Sequence, residues 1–183
     1  YFEMLIKGLQ KHTLIDYPGK IACTIFLFGC NFSCGYCHNP ELVSMTISKK
    51  FRTYTQHEII EFLKSRNKFL EGVCISGGEP TLSLDLPSFI RKIKKLGYNV
   101  KLDTNGTNPK MLNQFLRERL VDYVAMDIKT RIEKKAYEKV VNAKVNINNI
   151  KESISIIKRF PEYEFRTTVV PNVITKDDII NIA

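Results

Sequence analysis

The stretch Ile21-Ala22-Cys23-Thr24-Ile25-Phe26-Leu27-Phe28 runs without a charge into Gly29-Cys30-Asn31-Phe32-Ser33-Cys34-Gly35-Tyr36-Cys37-His38-Asn39-Pro40. A short apolar run closed by glycine reads as a buried strand. The polar loop after it carries three thiols with three residues, then two, between them. Iron–sulfur clusters are held by cysteine thiolates, commonly four for a [4Fe–4S] cube. Three ligands from one loop, with no fourth cysteine nearby, would leave one iron open to bind something else. Two other readings stand beside this one. His38 could complete a Cys3His zinc site, although zinc sites usually pair two separated clips. The thiols could also be unligated core groups, although Asn31, Ser33 and Gly35 read as loop.

Outward from that stretch, apolar strand-like runs alternate with helical patterns, which predicts an α/β fold with a parallel sheet. The strands fall at Ala22–Phe28, Gly72–Ile75, Asn99–Leu102, Tyr123–Met126 and Glu164–Val170. Between them, Ile59, Ile60, Phe62 and Leu63 make one apolar stripe, and Leu86, Phe89, Ile90, Ile93 and Leu96 make another. Gly97 stops the second where a left-handed cap is needed. Met111, Leu112, Phe115 and Leu116 form a third stripe, opened by Asn108 as N-cap and Pro109 at the first helical position. Ala136 to Val141 and Ile150 to Ile157 predict a split connection after the fourth strand, and Thr175 caps a last helix ending at Ala183. Leu5 to Pro18-Gly19 reads as an added antiparallel strand and a tight turn. No linker or low-complexity run divides the chain, so residues 4–183 are expected to form one domain. Tyr1-Phe2-Glu3 before Met4 reads as an expression-tag remnant.

Each predicted strand ends in a polar or glycine-rich motif. The first runs into the cysteine loop, the second into Ser76-Gly77-Gly78-Glu79-Pro80, and the third into Asp103-Thr104-Asn105-Gly106. The fourth gives Asp127-Ile128-Lys129, and the fifth contains Arg166-Thr167-Thr168. In a parallel βα array these ends share the face where barrel enzymes build their sites. Gly77 and Gly78 let backbone approach a ligand closely. Glu79 suits an ammonium or hydroxyl donor, Asp103 and Asp127 add anionic oxygens, and Lys129 can pair a carboxylate. The set suits a small zwitterion bearing hydroxyls. Singly, each motif has an ordinary structural reading: a turn for the glycines and Asn105-Gly106, a rim ion pair for Asp127 and Lys129.

Composition narrows the partners. The chain of 183 residues has 44% hydrophobic and 26% charged residues, ordinary for a globular protein. Ile21 to Phe28 is too short to span a membrane, and the N-terminus shows no signal-peptide pattern, so a cytoplasmic location is expected. The net charge of +9 is dispersed over Lys49-Lys50, Lys92, Lys94-Lys95, Lys134-Lys135 and Lys158-Arg159. Those positions read as solvated helix faces, and a nucleic-acid partner is not expected. Five cysteines make no disulfide framework; Cys23 and Cys74 lie in apolar runs and read as core filling, with no auxiliary cluster.

The chain resembles the radical S-adenosylmethionine (SAM) superfamily from Gly8 to about Pro171. Cys30-x3-Cys34-x2-Cys37, with Tyr36 before the last cysteine, matches its signature, and Gly77-Gly78-Glu79-Pro80 its companion motif. The resemblance implies a partial (β/α)6 barrel in which the three cysteines hold a [4Fe–4S] cluster and SAM chelates the open iron. The resemblance further implies a sixth strand beyond the last residues given, so the cofactor contact it would carry is expected to be missing from this chain. Leu14-Ile15-Asp16-Tyr17-Pro18-Gly19-Lys20, Phe28-Gly29-Cys30-Asn31-Phe32 and Tyr36-Cys37-His38-Asn39-Pro40-Glu41-Leu42 look like activating proteins of anaerobic ribonucleoside-triphosphate reductase. Asp103-Thr104-Asn105-Gly106 and Asp127-x-Lys129 are similar to motifs there and in pyruvate formate-lyase activating enzymes.

That resemblance implies that Glu79 and the Gly77-Gly78 backbone receive the methionine ammonium, with Tyr36 near the adenine. Asp103 and Asn105 would lie near the methionine or ribose and Lys129 near the carboxylate. Asp103, Thr104 and Asp127 match positions of a monovalent-cation site. The implied activity is reductive cleavage of SAM to place a glycyl radical on a partner enzyme, with a flavodoxin- or ferredoxin-type electron donor. A radical enzyme acting on a small molecule and a non-catalytic metal module are the rival readings.

Overall fold

The structure, a computed structural model, describes residues 4–43 and 52–182. Tyr1-Phe2-Glu3, Lys49-Lys50 and Ala183, on which expectations above fell, lie outside the described residues. A sheet of six strands runs in chain order: β1 (Ile6–Thr13), β2 (Ala22–Leu27), β3 (Gly72–Gly77), β4 (Asn99–Thr104), β5 (Tyr123–Asp127) and β6 (Glu162–Arg166). Strand β1 pairs antiparallel with β2, and β2 to β6 are parallel. Strands β1 and β6 are the two edges, so the sheet is an open partial barrel.

The crossovers between parallel strands carry α1 (Gln56–Arg66), α2 (Leu86–Lys95) and α3 (Pro109–Glu118), then the pair α4 (Lys134–Val141) and α5 (Ile147–Ile157). Helix α6 (Lys176–Ile182) follows β6. Local chemistry sets their limits. Thr55 and Glu58 form a reciprocal capping box at the start of α1. Asn108 accepts from the Met111 amide with Pro109 next to it, and Gly97 takes φ +89° just after α2. At α6, Thr175 Oγ1 accepts from the Asp178 amide while Asp178 Oδ2 accepts from the Thr175 amide.

The strand pleat separates two environments. Ile25, Ile75, Val100, Leu102, Val124 and Met126 point into the main core, packed with Phe89, Ile90, Leu112, Phe115 and Ile157 from the helices. The opposite face of β4 to β6 alternates to Lys101, Asp103, Asp127, Glu164 and Arg166. At the foot of this face Tyr17, Ala22, Tyr123 and Ala125 form a separate small apolar cluster. Cys23 and Cys74 are fully buried; Cys23 packs in the main core, whereas Cys74 lies on the opposite face of β3 and belongs to neither apolar cluster. Among the described residues no helix is long and apolar enough to cross a membrane.

Against the sequence reading, β2 is one residue shorter, β3 and β4 run two further, β5 one further and α4 starts two earlier; two elements differ more. The last strand is Glu162–Arg166 rather than Glu164–Val170, because its ladder runs only alongside β5, and β5 ends opposite Arg166 at Asp127. Beyond that point Thr167 Oγ1 donates to the Ile128 carbonyl and the chain leaves the sheet. Helix α5 begins at Ile147, three positions earlier than its apolar stripe, because Asn146 caps it through the Asn148 amide.

Candidate active site at the strand ends

The C-terminal ends of β2 to β6 border one cavity of about 420 Å³. Cys30, Cys34, Cys37 and Tyr36 line it from the cysteine loop, Gly77 and Gly78 from β3, and Asp103, Thr104 and Asn105 from β4. Asp127 and Lys129 line it from β5, joined by Arg166 and Thr168 from β6. Of the expected site residues, only Glu79 does not border this space.

Backbone and side-chain contacts fix the cysteine loop. The Ser33 amide donates to the Val141 carbonyl at 2.9 Å, tying the loop to the end of α4. Phe32 is buried and meets Tyr137 edge-on, with ring centroids 6.3 Å apart. The Cys37 amide donates to the Cys34 carbonyl, which closes the turn between those cysteines. The Phe32 amide donates to Cys30 Sγ at 3.4 Å, and Asn105 Nδ2 approaches it at 4.0 Å. Burial pushes the Cys30 thiol up to about 12 and raises Cys34. Thiols held this way ionise readily only when a metal supplies positive charge.

Among the described residues, no three His, Cys, Asp or Glu side chains stand close enough to hold one metal ion. Three thiols that border one cavity suit a polynuclear cluster, in which each thiolate meets a different iron. The Tyr36 hydroxyl is buried with no hydrogen-bond partner, an orphaned polar atom at the same cavity. Burial also raises the Tyr36 phenol above its ordinary range.

The glycine pair is a close backbone crossing. Gly77 has φ +126°, and a Cβ there would fall 2.9 Å from the Leu27 carbonyl carbon. A Cβ on Gly78 would lie 2.6 Å from the Gly29 carbonyl carbon. Gly78 and Glu79 amides donate to the Leu27 and Gly29 carbonyls at 2.9 and 2.7 Å, which seats β3 against the start of the cysteine loop.

Glu79 lies beneath that crossing, 1% exposed. Its Oε1 accepts from the Thr81 amide, the Thr81 hydroxyl and the Thr104 hydroxyl, and its Oε2 accepts from the Asn105 amide at 2.6 Å. Burial raises its carboxyl above the ordinary range, against the pull of these donors. The carboxylate thus ties the β3 and β4 loops together.

A charged group fills the rim on the β5 and β6 side. Lys129 Nζ donates to Asp127 Oδ2 at 2.9 Å, and Arg166 Nε donates to Asp127 Oδ1 at 3.0 Å. Burial opposes ionisation of Asp127, yet the two cations hold its carboxyl below the usual range. Burial likewise opposes the Lys129 ammonium, and Asp127 outweighs it, so Lys129 is raised. The rim ion pair of the structural reading is therefore present, and it faces the cavity.

Sequence reasoning passed over Lys101 as a site residue and left Arg166 without a role. The signal was available in Asn99-Val100-Lys101-Leu102-Asp103, where strand alternation puts Lys101 on the same face as Asp103. A second cavity of about 690 Å³ shares Tyr36 with the first and reaches Arg131, Val170 and Val173.

The family model described as "Radical SAM superfamily" matches residues 24–183. A Methanocaldococcus jannaschii protein provisionally named a glycyl-radical enzyme activating enzyme is 38% identical, over 99% of this chain and 75% of that protein. The pyruvate formate-lyase-activating enzyme of Clostridium pasteurianum is 32% identical, over 68% of this chain and 52% of its own length. Among solved structures, Streptococcus suis SuiB bound to S-adenosylmethionine superposes with a TM-score of 0.63 at 16% identity, over 85% of this chain and 35% of SuiB. At that identity the likeness shows the fold alone.

Proposed function

The chain belongs to the radical SAM superfamily, and from that premise we propose that it activates a glycyl-radical enzyme, with an anaerobic ribonucleoside-triphosphate reductase as partner. One observation carries the reading: three thiols, a bare Gly77-Gly78 backbone and the Lys129–Asp127 pair share one cavity. Names of relatives at 38% and 32% identity support the activating role. The sequence around Asp16-Tyr17-Pro18-Gly19 supports the reductase as partner.

In this reading Cys30, Cys34 and Cys37 would hold a [4Fe–4S] cluster, and the rest of the cavity would hold SAM beside it. When bound, the reduced cluster would supply the single electron for reductive cleavage of SAM, and with it the radical chemistry that takes hydrogen from a glycine Cα of the partner. The hard chemistry belongs to the cofactors; the chain binds, orients and excludes water. Gly77 and Gly78 admit the methionine ammonium against backbone, and Glu79 beneath them keeps that backbone in place. Lys129 would face the methionine carboxylate, Tyr36 with its unpartnered hydroxyl the adenine, and Asp103 and Asn105 the methionine or ribose. The neighbouring cavity that shares Tyr36 gives a partner loop a route to the reacting carbon. A flavodoxin- or ferredoxin-type protein would supply the electron.

The test is anaerobic reconstitution with the reductase, dithionite and SAM, followed by EPR. A glycyl-radical doublet on the reductase supports the proposal. SAM cleavage without any protein radical, on this partner or on pyruvate formate-lyase, would sink the activating role.

A further inference from the structure

Lys101 stands in the middle of β4, on the face toward the cavity, and its side chain is 2% exposed. A buried ammonium is costly unless paired. Its Nζ donates to Asp103 Oδ1 at 2.6 Å and lies 5.6 Å from the centroid of the Tyr123 ring. From β6, Arg166 donates to Asp127 Oδ1 at 3.0 Å, and its Nη1 lies 3.6 Å from Asp103 Oδ1. Glu164 is 3.9 Å from Lys101 and 3.7 Å from Arg166. With Lys129, three cations face three carboxylates: Lys101, Lys129 and Arg166 against Asp103, Asp127 and Glu164. The group is balanced by the chain's own charges.

This arrangement does not fit the monovalent-cation site that the resemblance implies. Hard cations need several free oxygen ligands. Both Asp127 oxygens and Asp103 Oδ1 already accept from Lys or Arg. Thr104 Oγ1 donates to Glu79 and accepts from the Gly106 amide. Of these side-chain oxygens, only Asp103 Oδ2 accepts no hydrogen bond among the described residues.

We propose that Lys101 and Arg166 stand as fixed side-chain cations where a bound alkali ion would otherwise sit, with Lys101 the positioning residue that holds Asp103 at the cavity wall. The role rests on the reading of this cavity as the SAM site. It makes cofactor binding indifferent to sodium or potassium.

The test compares SAM binding by calorimetry to the anaerobically reconstituted protein in sodium, potassium and N-methylglucamine chlorides of equal ionic strength. The 23Na line width of the same protein is measured alongside. Wild-type affinity should agree within about twofold across the three salts. Lys101→Met should bind about tenfold more weakly in N-methylglucamine and recover in sodium or potassium. Lys101→Arg should stay indifferent to the salt, which separates charge from packing. Wild-type binding about tenfold tighter in an alkali salt, or 23Na broadening that Asp127→Asn removes, overturns the proposal. If SAM binds in no salt, the SAM reading fails, and the 23Na measurement still decides whether the chain holds an alkali ion.

Discussion

Replacing Gly78 by alanine tests how the strand ends are held together. The added Cβ would lie 2.6 Å from the Gly29 carbonyl carbon and 3.1 Å from the Leu42 carbonyl oxygen. Both neighbours are backbone, so no side chain can swing away. Relief requires β3 to separate from the segment before Cys30, which stretches the Glu79–Gly29 and Gly78–Leu27 hydrogen bonds of 2.7 and 2.9 Å. Overpacking of this kind and two weakened hydrogen bonds together cost about 2–6 kcal/mol. Against a typical stability of about 5–15 kcal/mol the variant still folds, with a displaced cysteine loop. Urea unfolding should show a lower midpoint at unchanged slope, and anaerobic reconstitution should load less iron. Gly35→Ala is the internal control, because a Cβ at Gly35 meets nothing within 4 Å; it should change stability by no more than about 0.5 kcal/mol. A Gly78→Ala protein with wild-type midpoint and iron content would refute the reasoning.

Other perturbations probe separate parts of the site. Glu79→Gln places an NH2 among donors, so it should lose about 2–4 kcal/mol in urea unfolding; an unchanged midpoint would mean the clamp contributes nothing. Lys129→Met should weaken SAM binding by roughly 10–100-fold while cluster loading persists, and calorimetry on the reconstituted protein would read the change. Asp178 has its carboxyl lowered from 3.8 to about 2 by the Thr175 amide and hydroxyl. A depressed carboxyl stabilises the fold above its unfolded value and loses that contribution as pH falls from 3.8 toward 2. The urea midpoint of Asp178→Asn should therefore fall less steeply over that window than that of wild type.

Much of the architecture was legible because the strands are short, apolar and separated by strong helix signals. Gly97 and Asn108-Pro109 marked helix ends correctly because their effects are local. The end of β6 was not legible, since its length depends on where β5 stops rather than on its own residues. The convergence of the cysteine loop, Gly77-Gly78, Asp103 and Lys129 followed from placing every strand end on one face. The burial of Glu79 did not follow, because its four donors come from the backbone and hydroxyls of two loops that only the tertiary fold brings together. Lys101 was half legible: strand alternation aligns it with Asp103 on β4, but a lysine in a strand normally reads as solvated and Glu164 reaches it only from β6.

The central claim is that Cys30, Cys34 and Cys37 hold a cluster whose open iron takes SAM. The most direct measurement is EPR of the anaerobically reconstituted, dithionite-reduced protein with and without SAM, alongside iron and sulfide analysis. About four irons per chain and a reduced-cluster signal that shifts on adding SAM are expected, both lost when any one of the three cysteines becomes alanine. Zinc without iron or sulfide, or a cluster signal that SAM leaves unchanged, would contradict it.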